Sequence, residues 1–348
     1  MLPCTLKCRN VRGRLQVYSP ESPSDDTANL LRQVFKYLPS DGRRHLADDI
    51  LQCASDSQVR QLAESVVTGL LTPLKAAGLK TASVTPSPRI GLEDSIENLG
   101  GMVEEPMTRK QQELRDRCLP RDGNRCVVSG VFDWNNRDIP DGKPLGFLEA
   151  AHIVPFSLAT FRDHVERDYI VSVWTNMFRY FPSLRSRLGF EYRNINDPRN
   201  VMMLEAGVHS HFGLFKLALE PTETPNQYQI KTFGPVMAST DLILPQSRLV
   251  TLVAHDGREE LPSPILLQLH AAIASILHAT GRGEAIEKTF RDYGNIEVLA
   301  RSGSTDISRL LSVSSLQPAI VSSNVRPAQT ETTTAEDEQQ QMKHPVNE

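Results

Sequence analysis

The chain has 348 residues, with 38 Lys and Arg against 42 Asp and Glu and a formal charge of −4. At 39% hydrophobic it can bury a core, which excludes a wholly disordered protein, and the near balance of charge argues against a generic polycationic nucleic-acid binder. No window carries the roughly 18 uncharged apolar residues that a bilayer span needs, so no membrane partner is expected. Residues 1–9 lack the continuous apolar run of a secretory signal, which makes an intracellular protein the expectation, with nucleus and cytoplasm left open. Cys4, Cys8, Cys53, Cys118 and Cys126 are an odd, scattered set that reads as free thiols, and no structural zinc is expected.

In chain order, Leu30, Leu31, Val34, Phe35 and Leu38 share one face of a helix from Thr27 that stops at Pro39. A second helix is predicted over 43–54, and a third starting near Ser57 as N-cap and running toward Pro73. Residues 1–79 therefore read as a helical unit for packing or interaction. The Pro, Gly, Ser and Thr of 80–105 read as linker. Helix is predicted over 106–118 with Pro106 at its start, leading into a turn at Asp122-Gly123.

Residues 149–155, Glu-Ala-Ala-His-Ile-Val-Pro, form a short apolar strand whose end presents His152. Two helices are expected within 158–181, since an unstructured loop of that length is improbable. Residues 200–204 form a second apolar strand, and 207–215 carry apolar residues at helical spacing. A hairpin is predicted from 216–220 and 228–233, and a strong helix over 264–279. Residues 236–316 read as a helical extension. In the last 32 residues, 317–348, polar and acidic residues dominate, so a disordered acidic tail is predicted. From Arg326 to Glu348 two basic residues oppose five acidic ones.

The order strand, strand, helix, with His152 ending the first strand, Asn200 opening the second and His209 in the helix, resembles the HNH endonuclease family. His209-Ser210-His211-Phe212 is similar to the family's His-x-x-Phe ending, and residues 121–130 look like the hairpin that precedes the motif in many HNH proteins. The resemblance is nearest to uncharacterised fungal HNH-domain proteins and covers roughly 107–233. It implies an α+β chain: a ββα-metal HNH core with a helical insertion, within a domain spanning 106–235.

The resemblance also implies roles. His152 would be the general base, suited by an ordinary imidazole pKa near 6.5; a buried structural His is the alternative for that residue alone. Asn200 would hydrogen-bond backbone and hold the base in place. His209 would bind one divalent cation, Mg2+ or similar. His211, two residues further round the helix, points away from that cation and reads as a phosphate contact or a surface His. Relatives often carry His or Asp where this chain has Ala151, and Asp where it has Gly213. Glu149 or Asp197 would then supply the missing metal bond, or the site is weak or decayed.

Residues 176–199 alternate Arg179, Arg185, Arg187, Arg193 and Arg199 with aromatics, leaving the segment at +3. This is the expected nucleic-acid surface, with Arg185 and Arg187 as phosphate contacts and DNA as partner; several of its aromatics also suit a core. The expected function is metal-dependent phosphodiester hydrolysis of DNA. The alternative is a catalytically degenerate domain that binds nucleic acid or protein. No protein partner is legible.

Overall fold

The computed structural model describes residues 6–76, 84–103, 105–136 and 139–294. The predicted tail over 317–348, Cys4 and the end of the helical extension lie outside these residues. Helices outnumber short strands, an α+β composition.

The N-terminal part is α1 (Leu6–Gln16), α2 (Thr27–Tyr37), α3 (Ser40–Gln52) and α4 (Asp56–Val66), then a π turn at Val67–Leu71 and α5 (Thr72–Lys75). α1 was not legible, because its mean hydropathy is low and its apolar stripe is only Val11 and Leu15. The cap of α4 is Ser55, whose side chain accepts from Gln58 N, rather than Ser57. Residues 80–105 are not a plain linker. They contain α6 (Leu92–Gly100), whose end is held by Arg167 Nη2 on Gly100 O and Nε on Val103 O. α7 is Gln111–Arg121, so Pro106 lies before the helix and not at its first turn.

Short strands β1 (Phe132–Asp133) and β2 (Leu145–Gly146) pair in parallel. β3 (Leu148–His152) follows directly. The insertion is one long helix, α8 (His164–Tyr180), with a 3-10 turn at Phe156–Ala159 before it and a single turn, α9 (Ser183–Ser186), after it. β4 (Val201–Glu205) runs antiparallel to β3, with His152 opposite Val201 and Leu148 opposite Glu205. Then come α10 (Ala206–Gly213) and a sheet of β5 (Leu217–Pro221), β6 (Gln227–Thr232) and β7 (Leu249–Thr251), with α11 (Ala238–Ile243) between the last two strands. The expected hairpin is thus two strands of a three-stranded sheet. α12 (Pro264–Ala279) starts as the sequence predicts, with Ser263 accepting from Ile265 N, and α13 (Arg282–Gly294) follows.

One hydrophobic core runs from Val11 to Ile286 and includes β3, β4 and α12. The N-terminal helices belong to that core, with α2 packed on α12 and α3 on α8. No single helix among the described residues is long and apolar enough to cross a membrane.

A buried ion pair ties the pieces together. Arg121, fully buried, donates from Nε and Nη2 to the two oxygens of Asp122 at 2.7 and 2.9 Å. It also donates to Pro198 O, Val201 O and Glu260 O, while Asp122 accepts from Met203 N. Every charge-bearing atom thus has a partner, the condition under which a buried pair is tolerated. α7, β4 and the segment before α12 are fixed relative to one another by it.

Candidate active site

β3 delivers His152 at its last position, where the chain leaves the ladder and a side chain can face open space. The ring Nε2 lies 3.4 Å from Asn196 Oδ1 and packs against Phe156, with centroids 5.7 Å apart. Asn196 Nδ2 donates to Thr108 O at 2.9 Å, which turns Oδ1 toward the imidazole. Nε2–H is then the donor to Asn196, and Nδ1 keeps its lone pair. Burial draws the His152 pKa down to about 4; the bond to Asn196 opposes this, and the positive charges of Arg109 and His209 reinforce it.

Asn200 is fully buried directly before β4. Its Oδ1 accepts from Val154 N at 2.8 Å, and its Nδ2 donates to Val154 O at 3.1 Å and Ile195 O at 2.9 Å. Its own carbonyl accepts from Ile153 N at 2.8 Å. The amide therefore staples the backbone just after His152 to the loop before β4, and with both Nδ2 hydrogens used and the residue fully buried it is closed to a ligand.

α10 carries the second histidine. Glu205 caps its N-terminus by accepting from Gly207 N and Val208 N. His209 Nδ1 lies 2.5 Å from Glu149 Oε2, from the exposed edge of β3. His209 and His152 line one cavity of about 400 Å3, together with Arg109, Ala150, Phe156 and His270. Two of the three signature residues thus share a cavity, and the third, Asn200, lies behind it.

The C-terminal carbonyls of α10 are capped from outside the strand–strand–helix unit. His270 Nε2 donates to Phe212 O at 3.0 Å, His278 Nε2 to Phe215 O at 2.9 Å, and Lys75 Nζ to Leu214 O. His270 is sandwiched between Phe212 and Phe215, at centroid distances of 3.7 and 4.3 Å. Burial lowers the pKa of all three groups, that of His270 to about 3. Neutral imidazoles can stack on aromatic rings here without burying a charge.

Other sequence expectations are corrected. His211 is not a phosphate contact: it is buried, its Nδ1 donates to Gly207 O at 2.8 Å, and its Nε2 accepts from Met237 N at 3.2 Å. Asp197 is not at the cavity; it caps the 3-10 turn at Pro198–Asn200 and pairs with Arg199. The aromatics of 176–199 are mostly core, with Tyr180, Phe181, Phe190 and Tyr192 buried. Arg179 pairs with Asp49, and Arg193 donates to Met102 O. Arg185 and Arg187 are exposed, Arg185 bonded to Glu191 and lying over the Phe178 ring, but neither lines the cavity. Arg109 and Asn196 do face the site and had no motif to announce them. Arg109 falls in a stretch that the sequence assigns to helix, but residues 106–110 form no regular element, with Met107 N bonded to Ala159 O.

Among the described residues no group of three or more His, Cys, Asp or Glu side chains converges as a metal cage. The donor chemistry nonetheless fits a loosely held divalent cation. Glu149 on Nδ1 fixes the His209 ring, as carboxylates commonly do for metal-binding imidazoles, and leaves Nε2 for an outside ligand. A hard cation such as Mg2+ keeps several waters and takes much of its coordination from substrate phosphate.

Residues 126–220 match the family model of an HNH endonuclease, a span that contains β3, β4, α10, His152, Asn200 and His209. That segment is similar to an HNH endonuclease domain. No curated protein and no solved structure matches the chain.

Proposed function

We propose that this protein is a metal-dependent endonuclease that hydrolyses phosphodiester bonds of DNA. The observation that carries the reading is the shared cavity of His152 and His209, with a carboxylate on the latter.

Hydrolysis needs a water that loses a proton as it attacks, and groups that tolerate charge on the phosphate. His152 Nδ1 accepts that proton. Its lowered pKa keeps it neutral at any pH near 7, and the imidazolium formed in the reaction keeps its bond to Asn196. Asn200 acts as a positioning residue, holding the backbone of residues 153–154 and so the direction of His152. Arg109, exposed at the cavity edge with its guanidinium over Phe156, is placed to receive a phosphate oxygen. His209 would hold the cation through Nε2, with Glu149 behind it. When bound, that cation offsets charge on the phosphate and the leaving oxygen.

The lack of a three-donor cluster among the described residues, with Ala151 fully buried where many HNH enzymes carry a donor, favours a second reading as a nucleic-acid or protein binding module. Incubation of purified protein with supercoiled plasmid in Mg2+, Mn2+, Ni2+ or EDTA separates the two. Nicking with a cation and none in EDTA is the expected result. Intact plasmid under every condition would leave the binding module standing.

A further inference from the structure

The described residues expose few large aromatic side chains, and two of them touch. Trp134 is 59% exposed and Phe147 is 68% exposed, and their ring centroids lie 6.3 Å apart at 36°. Neither is loosely held. Trp134 N donates to Gly146 O at 2.9 Å, and Phe147 O accepts from Ala206 N at 3.1 Å, the first residue of α10. A Cβ on Gly146 would meet Val131 at 2.9 Å, so the backbone beneath the pair is closely seated.

The pair is continuous with the proposed site. Phe147 and Glu149 are two residues apart on extended chain and are both exposed, flanking the buried Leu148. Side chains two apart on a strand point to the same face, about 7 Å from one another. Glu149 holds His209. The exposed aromatic pair therefore lies beside the Glu149–His209 pair on one strand face.

We infer that Trp134 and Phe147 form a stacking platform for an unpaired base of the nucleic acid whose phosphate enters the His152–His209 cavity. A paired, stacked base has both faces covered, so the platform selects single-stranded or frayed nucleic acid. The selection needs no base-edge contact, because every base has a π face. This inference rests on the nuclease reading and adds a substrate class to it.

The chain contains two tryptophans, and Trp174 is fully buried, so solvent-sensitive emission reports on Trp134. The experiment titrates full-length protein in EDTA with a fluorescein-labelled oligothymidine strand and with a blunt duplex of the same length. Anisotropy measures binding on the label, and tryptophan emission is followed with unlabelled strands. Expected are quenching of Trp134 by the single strand, roughly tenfold weaker single-strand binding in Trp134→Ala and in Phe147→Ala, and restoration by Trp134→Phe. Binding to the duplex should be unchanged in all three variants.

Single-strand binding with unmoved emission and wild-type affinity in both alanine variants would overturn the platform and leave the nuclease reading intact. No binding of either nucleic acid would overturn both. A blue shift of Trp134 with rising protein concentration and no oligonucleotide would make the patch a self-association face, and would overturn the inference as well.

Discussion

Two pairs of histidines stand around α10, and they use their ring nitrogens in opposite ways. His270 and His278, on α12, give Nε2–H to the carbonyls of Phe212 and Phe215 and stack on Phe212, Phe215 and Phe233. His152 and His209, at the cavity, each keep one nitrogen without a partner among the described residues, and the bonds on their other nitrogens reach the side chains of Asn196 and Glu149. The first pair spends its hydrogen bonds on holding the helix, and the second has capacity left for solvent and substrate. Histidine count alone, then, would have pointed to the wrong pair as readily as the right one.

The largest expected effect separates the pairs by activity. His152→Ala should lower nicking about 10²- to 10⁴-fold while leaving the thermal unfolding midpoint within a few degrees of wild type. An equal loss of activity and of stability would return His152 to the scaffold. His270→Ala should do the reverse, removing a ring packed between two phenylalanines together with its hydrogen bond. A destabilisation of about 3 kcal/mol in urea unfolding is expected.

Glu149→Gln should weaken activation by Mg2+ or Mn2+ about 10- to 100-fold, the usual effect of losing the carboxylate behind a metal-binding imidazole. Metal titrations of the rate check this, and an unchanged half-saturation would break the assignment of Glu149 to His209.

pH sharpens the comparison further. Because neutral His152 is the competent base, kcat/KM should fall only as pH drops through about 4. His270 has a folded pKa of about 3, below the value near 6.5 expected in the unfolded chain. The folded state binds fewer protons, so the stability contributed by His270 is full above pH 6.5 and is lost as pH falls from there toward 3. Melting curves between pH 6.5 and 4.5 should show this slope in wild type and a flatter one in His270→Phe. The smallest effect belongs to His211→Gln, which should leave nucleic-acid affinity unchanged in a filter-binding or anisotropy assay, since both ring nitrogens face protein.

What was legible in the sequence follows from what is local. The β3–β4–α10 order rests on local apolar patterning, the roles suggested for His152, Asn200 and His209 rest on the resemblance to the HNH family, and the strand register sets His152 opposite Val201, the residue after Asn200. α12 announced itself through Pro264 and a dense apolar stripe. Arg109, Asn196, His270 and Lys75 were not legible, because each reaches its partner across tens of residues and sits in no periodic pattern. The aromatic and basic stretch at 176–199 misled for a related reason. An alternation of Arg and aromatic residues looks alike whether the aromatics face solvent or the core, and here α8 and the turn after it bury most of them. Trp134 and Phe147 are the converse, two isolated apolar residues that only the fold brings side by side.

The most direct measurement is metal-dependent nicking by His152→Ala with and without free imidazole, beside wild type prepared identically. Loss of nicking in the variant, with partial recovery as imidazole enters the vacated space beside His209, is the outcome expected if His152 is the general base. Nicking by the variant at the wild-type rate would contradict it.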